Sequence, residues 1–99
     1  MILLAVLRVG DNAYGVTITR EIEDTARRSV AIALVYATLD RLQDRGLVVS
    51  WKGDPTPERG GRAKRYFEVT AKGIRQIKDT QRAFTALWKG IPQLQDSTR

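Results

Sequence analysis

Along the chain the apolar positions keep two different periods, and the switch between them divides it. From Ala31 to Arg45, Ile32, Val35, Leu39 and Leu42 recur at steps of three and four, one face of a 3.6-residue helix, with Thr38, Arg41 and Asp44 opposite. Gly46 follows as a left-handed residue just past the helix end. Upstream, Ile2–Val9 is apolar on nearly every side, which predicts a short helix covered all round by other elements. Gly10-Asp11-Asn12 supplies stop and turn signals, with Asn12 placed to cap a second helix from about Ala13 to Ala26. There Val16, Ile18 and Ile22 point inward while Arg20, Glu21, Glu23 and Asp24 face water. Arg27-Arg28-Ser29 is a connector.

After Gly46 the period drops to two. Leu47, Val49 and Trp51 alternate with Val48, Ser50 and Lys52; later Arg65, Phe67 and Val69 alternate with Tyr66, Glu68 and Thr70. This predicts a β-hairpin, and the Gly- and Pro-rich connection from Gly53 to Arg62 is too long for a two-residue turn, so it protrudes. Thr70 can cap a last helix that runs from about Ala71 until Gly90 and Pro92 end it. Ile74, Ile77, Gln81, Phe84, Trp88 and Ile91 form a coiled-coil-like seam on it, with polar Gln81 in the middle. The tail, Gln93–Arg99, is polar and expected to fray. The expected fold is mainly α with a small β-hairpin (α+β), divided into residues 1–70, a helix over 71–90 and a tail over 91–99.

Composition narrows the chemistry. Ninety-nine residues allow one domain, and a chain this short gains from a partner subunit because it buries only about 60–65% of its unfolded surface. With no Cys there is no disulfide framework, zinc ribbon or thiol nucleophile; with no His there is no Ser-His-Asp triad and no imidazole-bound metal. Neither a metal nor a cofactor is expected. The longest apolar run, Ile2 to Leu7, is far short of the ~20 residues that span a bilayer, and no basic region precedes it as in a signal peptide. The chain therefore reads as cytoplasmic. Seventeen Lys+Arg against 11 Asp+Glu leave a net charge of +6, which points to a polyanionic partner, nucleic acid or an anionic membrane, with charge alone not deciding between them.

Three helices, a hairpin with a long basic loop and a further helix follow the order of a winged helix–turn–helix. Such a fold can lay one helix in the major groove of double-stranded DNA and its hairpin along the backbone. Arg59, Arg62, Lys64 and Arg65 put four cations into seven residues of the loop with no acid among them, where arginine can fork onto phosphate oxygens. The same loop also reads as solvated charge. On the third helix Tyr36, Thr38 and Arg41 are candidates for phosphate or base contacts; Tyr36 alternatively reads as a half-buried aromatic with a satisfied hydroxyl. The last helix, about 20 residues and roughly 30 Å long, outruns a three-helix core. Its apolar residues, Ile77, Phe84, Leu87 and Trp88 with Gln81, are therefore candidates for a homodimer interface. Trp88 could also wall a small-ligand cavity between subunits. Glu21/Glu23 and Asp40/Asp44 read as solvated surface charge rather than a catalytic pair, and Gly60-Gly61 lacks the Lys-Ser/Thr of a nucleotide cradle. An enzyme is not expected. One rival is a winged-helix protein–protein interaction module without specific DNA binding; another is a monomeric RNA-binding winged helix.

Several segments in order resemble the PadR family of bacterial transcriptional regulators. They are Ala13-Tyr-Gly-Val16, Val35-Tyr-Ala-Thr-Leu-Asp-Arg-Leu42, Arg45-Gly-Leu-Val48, Pro55-Thr-Pro-Glu-Arg-Gly-Gly-Arg62, Lys64-Arg-Tyr66 and Thr70-Ala-Lys-Gly73. The resemblance spans about residues 2–75. It implies a homodimeric winged-helix repressor on palindromic promoter DNA, released by a small, often aromatic, effector near the dimer interface. By position it makes Tyr36 the recognition-helix tyrosine, puts Tyr14 and Gly15 at the start of the second helix, and makes Arg59, Arg62, Lys64 and Arg65 the basic wing. Three features depart from the pattern. Ala31 and Ala33 stand where relatives commonly carry Ser and Gly, so Ala31 cannot cap the helix, although Ser29 is close enough to substitute. Met1 sits almost inside the first helix, where relatives usually have several preceding residues. The chain is also short for the family, which implies no separate effector domain.

Overall fold

A computed structural model describes residues 1–53 and 64–94. Its first helix, α1, is Ile2–Val9, followed by a 3₁₀ turn over Gly10–Asn12. Leu3, Ala5 and Val6 are buried, but Leu4 and Leu7 are exposed and Met1 is 69% exposed. The all-round burial expected of α1 is therefore wrong. Helix α2, strand β2 and part of α3 cover one side, and α4 touches α1 without enclosing it, so that among the described residues nothing fully covers Leu4 and Leu7.

Helix α2 is Gly15–Ala26, two residues shorter at its start than the pattern suggested, because Ala13 and Tyr14 are extended and bond to the hairpin instead. The Asn12 side chain does not cap it. Thr17 does the local bonding instead: its Oγ1 accepts from the Tyr14 N–H at 3.0 Å and donates to the Asn12 carbonyl at 2.6 Å. Ile18 and Ile22 are buried as expected, with Val16 only half-buried. Two of the supposedly solvated acids have structural partners. Glu21 pairs with Arg8 of α1 at 2.7 Å and accepts from the Thr25 hydroxyl at 2.7 Å. Glu23 accepts from the Val30 N–H at 3.2 Å, holding the connector into α3.

Helix α3 is Ile32–Asp44, with Val35 and Leu39 fully buried, Leu42 half-buried and Ile32 exposed at the uncovered first turn. Ala31 makes no side-chain cap, and neither it nor Ser29 is bonded in that role among the described residues. Gly46 has φ 78°, the left-handed conformation expected at this position.

Strands β1 (Val48–Lys52) and β2 (Arg65–Val69) pair antiparallel, with Val48 opposite Val69 and Ser50 opposite Phe67. Val48, Phe67 and Val69 face the core; Val49, Trp51 and Glu68 face out. The stretch before α2 adds a partial third strand. The Phe67 N–H donates to the Ala13 carbonyl at 2.9 Å, and Tyr14 bridges to Tyr66. Helix α4 is Ala71–Trp88, capped as expected by Thr70, whose Oγ1 accepts from the Gly73 N–H at 3.0 Å and donates to the Gly46 carbonyl at 2.7 Å. It stops two residues before the expected end, and Pro92–Leu94 forms a 3₁₀ turn where a frayed tail was anticipated. Residues 95–99 lie outside the described ones. Among the residues of α4 only Gly73 is buried, and the molecule measures 55 × 28 × 20 Å. Together these are three helices, a wing-like hairpin and a fourth helix extending from the core. No described helix is long and apolar enough to cross a membrane.

Candidate nucleic-acid interface

The sequence of α3 gives it one apolar stripe, and seating Val35 and Leu39 in the core turns Ala33, Ala37 and Arg41 outward. Thr38 is half-buried, and Arg41 Nη2 lies 3.4 Å from its Oγ1, so these two candidates sit together on one side of the helix. Tyr36 is on the other side and half-buried. Its ring lies against α2 at Gly15 and is tilted against Phe67 with centroids 6.4 Å apart. A side chain at Gly15 would collide with the Tyr36 phenol. Gly15, expected among the DNA contacts, is itself buried. The missing side chain is what lets α2 and α3 approach at this point.

Around the base of the hairpin the structure gathers aromatic rings that periodicity did not single out. Trp51 and Tyr66, directly opposite in the register, stack at 6.1 Å and 24°. Tyr14 meets Tyr66 edge-on at 5.7 Å, and Lys64 Nζ lies 4.6 Å from the centre of the Tyr14 ring. A cation over a ring keeps most of its charge available to a phosphate while its stem is held in place. The signal for this cluster was the alternation itself, which put Trp51 and Tyr66 on the outer face once the register was known.

The second cation at the hairpin base behaves differently. Arg65 Nη2 is 2.9 Å from Asp40 Oδ1 of α3, its Nε is 3.3 Å from Ser50 Oγ, and its guanidinium lies 4.9 Å from the Phe67 ring centre. Arg65, expected as one of the four cations of the wing, thus pairs with a carboxylate of the same chain. Arg59 and Arg62 lie outside the described residues.

The proposed interface residues of α4 are mostly bare. Phe84 is 60% exposed, Leu87 is 74% exposed, and Trp88 stands beside Phe84 at 5.4 Å; Gln81 is exposed and Ile77 half-buried. Between α4 and α1 runs an apolar groove of about 400 Å³ lined by Met1, Leu3, Leu4, Ile77, Gln81 and Phe84 among others. Trp88 does not line it.

A family model described as "Transcriptional regulator PadR-like family" matches residues 3–79. No match is found among curated proteins. Solved structures with the same fold include a PadR family transcriptional regulator from Eggerthella lenta, 20% identical with TM-score 0.76, the match covering 97% of this chain and 81% of that one. A transcriptional regulator from Clostridium thermocellum is 20% identical with TM-score 0.74, over 96% of this chain and 88% of its own. A PadR-like transcriptional regulator from Bacillus cereus is 15% identical with TM-score 0.72, over 97% and 91%.

Proposed function

Because this chain belongs to the transcriptional regulator PadR-like family, we propose that it acts as a homodimeric cytoplasmic repressor that binds palindromic promoter DNA and is released by a small aromatic effector. The observation that carries the reading is the pairing of an exposed, Arg41-bearing face on α3 with an apolar face on α1 and α4 that no other described element covers. The first is what a helix entering the major groove presents, and the second is what a two-fold partner would bury.

In this reading residues 1–70 engage DNA, 71–90 dimerise and 91–99 form a tail. Tyr36, Thr38 and Arg41 contact DNA from α3, with Tyr14 and Lys64 beside them at the hairpin base. Arg59 and Arg62 of the loop reach phosphates. Ile77, Gln81, Phe84, Leu87 and Trp88 pack against a second copy, and two facing Phe84/Trp88 pairs wall the effector site. The groove between α1 and α4 falls in the size range of small-ligand pockets, about 300–1,000 Å³.

Mobility-shift titration against DNA from upstream of the protein's own gene tests the reading, run at several salt concentrations and beside sizing chromatography. If each subunit neutralises about three phosphates, log affinity falls with log salt at a slope of roughly −5. Arg62→Ala should lower that slope by about one and weaken all sequences alike. A micromolar monomer, or no binding even at low salt, would refute it. Candidate aromatic ligands added to the same gel test release.

A further inference from the structure

Asp40 presents a negative charge on the helix proposed to approach DNA, and by charge alone it should weaken binding. The structure engages it elsewhere. Its Oδ1 takes Arg65 Nη2 at 2.9 Å, and the same nitrogen is 3.4 Å from Gln43 Oε1, one turn further along α3. Gln43 Oε1 also accepts from the Ser50 hydroxyl at 2.5 Å, while Arg65 Nε reaches Ser50 Oγ at 3.3 Å. Two residues of α3 and one from each strand thus close a ring of polar contacts around a single guanidinium. The planar fork of arginine can serve several acceptors in fixed directions, which a lysine ammonium cannot. Phe67, buried beneath the guanidinium, closes it off from the core side.

We infer that Arg65 is a positioning residue that braces α3 against the hairpin through Asp40, Gln43 and Ser50, so that the Asp40 carboxylate strengthens selective DNA binding despite its charge. This rests on the DNA-binding reading above. Base contacts from a helix and backbone contacts from a hairpin succeed together only when the two elements keep their relative placement to about 0.5 Å. An exposed ion pair adds little to folding stability, so the effect of the brace appears in recognition and not in the melting temperature.

The test uses Asp40→Asn, Arg65→Gln, their combination and Asp40→Glu in the full chain, titrated onto the upstream duplex and a scrambled duplex of equal length and composition. The brace predicts that Asp40→Asn and Arg65→Gln each lower the ratio of the two affinities by about tenfold, that the double variant goes no lower, and that Asp40→Glu recovers at least half of the loss. Affinity for the scrambled duplex stays level or rises in Asp40→Asn, and the salt slope is unchanged in Arg65→Gln. If Arg65 instead binds phosphate, Asp40→Asn raises affinity for both duplexes and Arg65→Gln reduces the slope by about one; either result overturns the inference.

Amide exchange in the free protein supplies a readout that needs no DNA. The Gly53 N–H, bonded to the Lys64 carbonyl at 2.8 Å, should exchange faster in both single variants. A wild-type chain that shifts neither duplex ends the DNA-binding reading, and unaltered exchange ends the brace.

Discussion

Helices α3 and α4 carry apolar stripes of the same period, yet they meet opposite environments. Val35 and Leu39 of α3 are fully buried beneath α2 and the hairpin, whereas Phe84 and Leu87 of α4 stand in solvent. The two stripes differ in what lies within reach. Helix α3 is flanked on both sides by elements whose own apolar faces need covering, while α4 packs its first two turns, through Gly73 and Ile77, mainly against β2 and α1 and then runs on with its apolar residues exposed. Amphipathic period therefore reports that a face must be covered; it does not report by which chain.

That contrast can be broken most severely from the packed side. Phe67→Ala removes the largest fully buried side chain and should cost about 3–5 kcal/mol, read as the drop in unfolding free energy in urea. The same core holds one mismatch that can be relieved. Thr19 Oγ1 is buried with no hydrogen-bond partner among the described residues, so Thr19→Val, of the same shape, should raise stability by about 1 kcal/mol.

On the bare side, Phe84→Ser combined with Leu87→Ser should change the stability of a single subunit by no more than about 0.5 kcal/mol. It should nevertheless convert the species seen on sizing chromatography from dimer to monomer. An unchanged elution volume would mean that α4 is not the covered face. The smallest effect belongs to Glu21, which ties α1 to α2. The hydrogen bond from the Thr25 hydroxyl, and then that from Arg8, hold its carboxyl below the ordinary range. A lowered folded value stabilises above the unfolded value of about 4.3, and the contribution disappears as pH falls through the folded value. Wild type should melt slightly above Glu21→Gln at pH 7, with the gap closing as pH falls below the ordinary carboxylate range.

Local chemistry was readable from residue order wherever its cause is local. The span of α1, the stripe of α3, the left-handed Gly46 and the Thr70 cap each depend on neighbours within a turn or two. Fold order was readable too, since the change of period from 3.6 to two marks the hairpin. The features that sequence reasoning missed join distant segments. Asp40 and Arg65 look like a surface acid and a wing cation until β2 returns beside α3. Gly15 looks like an ordinary residue near a helix start until Tyr36 is laid on it. The exposure of Leu4 and Leu7 was missed for a related reason: an apolar segment in a small chain suggests full enclosure, but the described elements packed on α1 leave part of its apolar surface uncovered.

The bond from the Phe67 amide to the Ala13 carbonyl has a consequence for engineering and for assembly order. A two-stranded ribbon is barely stable by itself in water, and here its missing neighbour comes from the linker that joins the first two helices. The ribbon therefore cannot be transplanted as a cassette, nor can it mature ahead of the N-terminal helices. Its completion has to wait for a segment some fifty positions upstream, which ties both ends of the domain into one cooperative event.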